Sequence, residues 1–382
     1  MDKSQRKAVF SPTDRSVLVI APPGFGKTYT MTNRVSYLLQ GGYVRSPARV
    51  LGLTFTNAAA KEMLDRIRDQ IGHQADDIVS IMTFHSFCYK TLRAYGNYLE
   101  LNPNFTVIGS SQSDEILLKI FRSNGVELNS NRPQRTEEVE QYKEWINKKI
   151  LSLSPDYQDS ESKGLFELIY SEYIKQLKSN NSLDFNHILW YCYELFVSFP
   201  KVLELYRATF CYLLIDEFHD TNPLQFKLLE LLSEGHPEKD IKCQKRPLFI
   251  LADRHQAIYE FQGARPENVK IAKETFDCSQ MTLKLNHRTE AENIAWLAKG
   301  FWNEAVSVAE IDQFERVKLL VSDNPQQEAL NILERIQEHE GPLHEICVVS
   351  QLSYRLSPIF DLFDQDDINL PYVFVPDFSS KN

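Results

Sequence analysis

Residues 21–30 read APPGFGKTYT and follow directly on the apolar run Ser16-Val17-Leu18-Val19-Ile20. A strand that turns through glycines into Lys-Thr is built to hold phosphates. Backbone N–H groups curl round the phosphate oxygens, and glycines occupy the places where a side chain would collide. A lysine meets the terminal phosphates and a hydroxyl meets Mg²⁺. Gly24, Gly26, Lys27 and Thr28 supply these parts, with Ala21 where the general pattern has its first glycine. Pro22 and Pro23 lack N–H groups but precede the part of the loop that wraps the phosphates. The complementary half is an apolar strand ending in acids, where one carboxylate holds Mg²⁺ and the next orients the attacking water. CYLLIDEFHD (211–220) has this form, so Asp216 and Glu217 join Lys27 and Thr28 in a candidate hydrolysis site.

Further apolar runs at Val50–Thr54, Ile78–Thr83, Leu248–Leu251, Met281–Leu285 and Ile346–Val349 join Val17–Ile20 and Tyr212–Ile215 as expected strands. Segments with helical spacing flank most of them, the pattern of an α/β fold with a largely parallel sheet. In one such helix, Ala58–Ile71, the residues Ala60, Met63, Leu64, Ile67 and Ile71 share a stripe behind Asn57 as N-cap. Between Ser110 and Tyr206 the strand signals give way to helical ones, which predicts an inserted helical subdomain. A second boundary is expected near Phe276–Gln280, where a new strand begins.

The chain has 382 residues, 43% hydrophobic and 25% charged, the composition of a soluble globular protein of two or three domains. Met1–Gln5 lacks the apolar core of a signal peptide and no run is long enough to span a bilayer, so a cytoplasmic location without membrane association is expected. Six scattered cysteines with no C-x-x-C pair predict neither a disulfide framework nor a zinc site. The net charge of −10 is uneven. Residues 1–100 hold 13 Lys/Arg against 8 Asp/Glu, whereas 301–382 hold 5 against 15. A polyanion is therefore expected against the N-terminal portion and not against the C-terminal surface.

Taken in order, these blocks resemble the UvrD/Rep-like superfamily 1 DNA helicases. SQRKAV (4–9) is similar to the family's adenine-reading glutamine motif, and APPGFGKT and LTFTNAAAKEM (53–63) follow at the expected intervals. TFHSFCYKTLR (83–93), SLDF (182–185), LLIDEFHDTNPLQ (213–225), ADRHQAIYEFQGA (252–264) and LKLNHRT (283–289) continue the series. The resemblance implies a RecA-like P-loop NTPase domain in two parts (1–109 and 207–279), an inserted helical subdomain (110–206) and a partial second RecA-like domain (280–382). It implies ATP and Mg²⁺ as cofactors, with Thr28 and Asp216 as metal ligands and Lys27, Asp216, Glu217, Gln256 and Arg288 as catalytic residues. In it Gln5 reads adenine, Gln256 senses the γ-phosphate, and Arg288 offers a delocalised cation where negative charge develops. For single-stranded DNA, the matching positions are Thr54, Phe55, Asn57, Thr83, Phe84, His85, Tyr259 and Phe261. Hydroxyls, amides and aromatic rings of this kind serve single-strand binding, although core packing competes for Phe55, Phe84 and Phe261.

The sequence departs from the family pattern in several places. His219 replaces a glutamine in the acidic motif, Ala252 a glycine and Gln262 an arginine. His287 stands where a tyrosine stacks on adenine, and Tyr29 where an arginine follows the P-loop threonine. Either ring is flat and suited to stacking on adenine. The family's later motifs have no counterpart in these 382 residues. The leading expectation is an ATP-dependent helicase or translocase moving 3′ to 5′ on single-stranded DNA or DNA with single-stranded tails, in repair or in defence against foreign DNA. The competing expectation is an ATP-binding DNA sensor or assembly module completed by a partner chain that supplies the missing motifs or a nuclease. A nucleotide kinase is a third and weaker reading.

Overall fold

The computed structural model describes residues 1–73, 75–129, 131, 133–151, 163–234, 246–253, 264–265, 267–287, 320–350 and 353–364. Two units divide at Arg288, Met1–Arg288 and Thr289–Asn382. The first carries β1 (Val17–Ile20), β2 (Arg49–Thr54), β3 (Val79–Thr83), the short strands β4 (Thr106–Ile108) and β5 (Ser182–Asp184), then β6 (Phe210–Ile215), β7 (Leu248–Ala252) and β8 (Ser279–Thr282). Six of these form one parallel sheet in the order β3-β2-β6-β7-β1-β8. The α/β class expected from the sequence is thus present.

The central strands read as unbroken apolar runs because both faces of the sheet are covered. Alternate residues serve opposite cores. Val17, Val19, Tyr212, Leu214, Phe249 and Leu251 meet one apolar cluster, and Leu18, Ile20, Leu213, Ile215, Leu248 and Ile250 meet the other. The first cluster is completed by Met31, Val35 and Leu38 of α2 (Lys27–Gln40) and by Met63 and Ile67 of α3 (Asn57–Ile71). Helix α1 (Lys3–Val9) packs on α2. In α3 the cap is Thr56, whose hydroxyl accepts from Ala59 N at 3.1 Å, and not Asn57, which is the first helical residue. Both residue types cap helices well; here Thr56 has the extended backbone, φ −124°, that a cap requires. Strand β3 starts at Val79 because Ile78 ends the short α4 (Ala75–Ile78).

On the other face lie α5 (Phe84–Tyr95), α6 (Ser110–Ser123), α7 (Glu137–Leu151), α8 (Lys163–Ser179), α9 (Phe185–Ser198), α10 (Pro200–Thr209), α11 (Pro223–Ser233) and α12 (Asn268–Thr275). Phe121, Tyr142, Trp145, Phe166 and Leu195 of the helical stretch share a single apolar core with Leu51, Leu213 and Ile250 of the sheet. The helical stretch and the sheet are therefore bound by burial of apolar surface, not by linkers alone. Strands β4 and β5 pair in parallel, β4 just before this stretch and β5 within it between α8 and α9. Three residues each, with Thr, Ser and Asp among six, leave no period to read.

The strand expected to open a second domain at residue 280 is instead the edge strand β8, paired with β1 from Val17↔Ser279 to Ile20↔Thr282. The break in pattern near Phe276–Gln280 reflects the end of α12 and a tight turn through Asp277, φ 49°. In the second unit α13 (Pro325–Gln337) and α14 (Ser357–Phe363) bury Ala329, Leu333, Ile336, Ile359 and Phe363 together. Ile346–Val349, expected as a strand, is irregular, and Val349 is 80% exposed. Among the described residues no helix is long and apolar enough to cross a membrane.

Arg34 in α2 is fully buried and fixes the N-terminal segment behind the phosphate loop. Its guanidinium donates to the carbonyls of Val9, Ser11 and Pro12 at 2.7, 2.6 and 2.9 Å and to Tyr212 Oη at 2.8 Å, and lies over the Tyr212 and Phe249 rings. A lysine lacks this planar fork. Arg34→Lys is expected to cost about 2–4 kcal/mol, since hydrogen bonds from a charged donor are worth about 1.5–3 kcal/mol each. A lowered urea midpoint at unchanged denaturant slope is the corresponding measurement.

Candidate nucleotide and nucleic-acid sites

All the strands of the large sheet run the same way, so the ends of β1, β6 and β7 deliver their following residues to one edge. In parallel sheets this is where ligands bind. The loop after β1 turns through Gly24 at φ 81° and Gly26 at φ 78°, a backbone region that L side chains avoid. The backbone angle requires a glycine at 26, and a Cβ there would sit 2.6 Å from Gln5 Nε2 and displace the end of that side chain. Gly26 caps α2, and Lys27 and Thr28 open that helix, whose N-terminal N–H groups favour an anion. The donors and the cradle fit a nucleoside triphosphate. Tyr29 is 41% exposed on the first turn.

Lys27 Nζ lies 2.7 Å from Glu217 Oε2, an ion pair between residues 190 apart in sequence. Asp216 is 6% exposed, and burial, reinforced by the negative Glu217, pushes its carboxyl up to about 7 despite Lys27 nearby. Desolvation favours the neutral acid, and a divalent cation in place of the proton would relieve the same cost. Glu217 has φ 46°, a left-handed backbone that costs a non-glycine residue about 1–2 kcal/mol. Strain of this kind at a strand end beside a phosphate loop is typical of a working site.

His219, 1% exposed, sits beneath these acids. Its Nδ1 accepts from the N–H of Asp253, at the end of β7, at 3.1 Å. The ring proton is therefore on Nε2, which lies 3.7 Å from both Glu217 Oε2 and Asp220 Oδ2. The histidine thus spans the ends of β6 and β7. His219→Leu removes the acceptor for a buried N–H and is expected to cost about 1–3 kcal/mol. His219→Gln, which can still accept there, is expected to recover most of the thermal midpoint.

A third group converges from the N-terminus. Gln5 is 1% exposed, accepts from Asp2 N at 3.0 Å and donates to Phe25 O at 3.3 Å, so both ends of its amide are engaged with the chain. Asp2 caps α1 and also meets His287 Nε2 at 2.8 Å, while His287 N donates to Gly24 O at 2.8 Å. Burial alone would raise the Asp2 carboxyl, but bonds from Ser4, Gln5 and His287 hold it well below the usual carboxylate range. Gln5, the phosphate loop and His287 are therefore neighbours. Asp2 was not singled out from the sequence, although Asp-x-x-Gln is a recognisable capping box.

On the other side of β6, β2 and β3 end in register, Thr54 opposite Thr83. Thr54 is 1% exposed and bonds Thr56 O; Thr83 is buried and caps α5 through Ser86 N. Phe84 is 4% exposed and belongs to the apolar core, which corrects its expected place as a stacking platform. Phe55 and His85 are partly exposed and Asn57 is exposed. Burial pushes the His85 imidazole down to about 4, leaving it neutral near pH 7. Its ring meets that of Phe185 edge-on at 5.4 Å, and Phe185 is 46% exposed. Phe185 closes the SLDF block but was not expected at a site. Gln256, Tyr259, Phe261 and Arg288 lie outside the described residues.

The family model described as the UvrD/REP helicase N-terminal domain matches residues 1–277. The chain belongs to the UvrD/REP helicase family. It is similar to a probable DNA helicase II homolog of Mycoplasma capricolum, 32% identical over 294 residues, covering 75% of this chain and 38% of that protein. It is likewise similar to the ATP-dependent DNA helicase PcrA of Staphylococcus aureus, 29% identical over 342 residues, covering 89% of this chain and 44% of that protein. The PcrA of Staphylococcus epidermidis is 26% identical over 392 residues, covering 98% of this chain and 51% of that protein. The chain thus spans about two fifths to one half of the length of these relatives.

Proposed function

We propose that the chain carries the ATP-hydrolysing motor site of a UvrD/PcrA-type DNA helicase or translocase, moving 3′ to 5′ on single-stranded DNA in repair or in defence against foreign DNA. The observation that carries this reading is the Lys27–Glu217 pair beside the buried Asp216, at the sheet edge that also presents Gly24 and Gly26. Lys27 and the first N–H groups of α2 hold the phosphates. Thr28 and Asp216 would hold Mg²⁺, which would supply positive charge to neutralise the phosphates. Glu217, aimed at the same point by its strained backbone, orients and deprotonates the attacking water. Phe55, Asn57, His85 and Phe185, one and two strands away, form the surface offered to single-stranded DNA.

Steady-state ATPase with and without single-stranded DNA, with Glu217→Gln as the blank, tests the reading. DNA stimulation that vanishes in the blank supports it. Tight DNA binding without turnover favours a sensor or assembly module that a partner chain completes, and turnover indifferent to DNA removes the motor reading.

A further inference from the structure

Asp2 divides its carboxylate between two tasks. Oδ1 accepts from Ser4 N at 2.6 Å, from the Ser4 hydroxyl at 2.6 Å and from Gln5 N at 3.0 Å, and so closes the first turn of α1. Oδ2 meets His287 Nε2 at 2.8 Å, across 285 residues of sequence. Capping a helix takes one side-chain oxygen, which serine supplies about as well as aspartate. The second oxygen is therefore surplus to the cap, and what it holds is the His287 ring. The carboxylate, an acceptor, also settles that the ring carries a hydrogen on Nε2.

The ring borders the phosphate loop. His287 N donates to Gly24 O at 2.8 Å, and a Cβ built on Gly26 would lie 3.8 Å from His287 Cδ2. Lys284 N donates to Ser4 Oγ at 3.1 Å, so the segment leading from β8 to His287 is pinned to the start of α1 at both of its ends. The His287 side chain is 39% exposed and that of Asp2 15%. A flat ring with an open portion, bonded to the loop that takes the phosphates, is within reach of the base of the same nucleotide, and aromatic faces seat bases by stacking. A side chain that must be ordered when its ligand arrives subtracts from affinity, and one ordered beforehand does not.

We propose that Asp2 is a positioning residue for the nucleotide base, holding the His287 ring in place as one wall of the base site before the nucleotide arrives. The inference rests on the reading of Gly24 to Thr28 as a nucleotide site. It adds to that reading a preorganised wall for the base, distinct from the groups that hold the phosphates.

Two ligands separate base from phosphates: ATP, and inorganic tripolyphosphate, which has no base. Their affinities are read by displacement of a ribose-labelled fluorescent ATP analogue. Asp2→Ser keeps a capping oxygen and removes the one that meets His287. It is expected to melt like wild type and to weaken ATP about three- to tenfold, the worth of one side chain ordered in advance, with tripolyphosphate little affected. His287→Ala, which truncates a partly exposed ring, is expected to show the same selective loss. Adding Asp2→Ser to it is expected to lower ATP affinity no further, because the carboxylate acts through the ring. Asp2→Ser that binds ATP like wild type, equal losses for the two ligands, or additive losses in the double variant each overturn the proposal. Lys27→Ala controls for the site itself and is expected to weaken both ligands. Tripolyphosphate binding indifferent to Lys27→Ala, or a wild-type chain that takes neither ligand, overturns the nucleotide reading together with this one.

Discussion

Glu217→Gln is expected to lower ATP turnover by about 10²–10⁴-fold, the usual contribution of a positioned general base, while nucleotide binding persists. The substitution keeps shape and volume but removes the charge. Lys27 loses the negative charge of its partner at 2.7 Å and is held less strongly away from the phosphates, so affinity stays level or rises. Asp216 responds too. Its elevated carboxyl owes most to burial and next to the charge on Glu217, so the variant lowers it and the metal ligand ionises more readily. Turnover and affinity are thus expected to move in opposite directions. Single-turnover hydrolysis together with equilibrium binding of a fluorescent ATP analogue separates the two. A fall of less than tenfold in the chemical step would assign the base elsewhere.

What was legible in the sequence follows the range over which each signal acts. The phosphate loop is local: a strand, two glycines at positive φ and Lys-Thr are contiguous, and nothing distant decides their shape. The central strands were legible because burial on both faces removes all polar residues from the run. Phe84 was misplaced because the Thr-Phe-His triplet sits where strand becomes helix. The first turn of α5 sends Phe84 into the core and leaves His85 beside Phe185, a direction set by tertiary packing. Arg34 carried no signal at all, since an arginine in a helix is ordinarily solvated; its acceptors are three carbonyls some two dozen residues earlier. The role of β8 was hidden for a similar reason. An edge strand reading Ser-Gln-Met-Thr is half polar, and only its pairing with β1 assigns it to the first unit.

Lys27→Ala tests the site from the opposite direction. The ammonium is a point charge with three donors, and losing a charged hydrogen bond to phosphate, about 1.5–3 kcal/mol, weakens nucleotide binding roughly tenfold to a hundredfold. Turnover falls further, by about 10²–10³-fold, because the same charge acts most strongly where negative charge builds up in phosphoryl transfer. Stability should change little. Lys27 is 10% exposed but its partner Glu217 is 34% exposed and can turn to solvent, so no charge is stranded. That separates the variant from His219→Leu, whose loss leaves a buried N–H without its acceptor and is read in the thermal midpoint. Lys27→Met, which keeps the aliphatic stem, is expected to match Lys27→Ala in turnover and wild type in melting. If either variant hydrolyses ATP at the wild-type rate, the phosphates are held elsewhere and the pairing of Lys27 with Glu217 is a structural ion pair only.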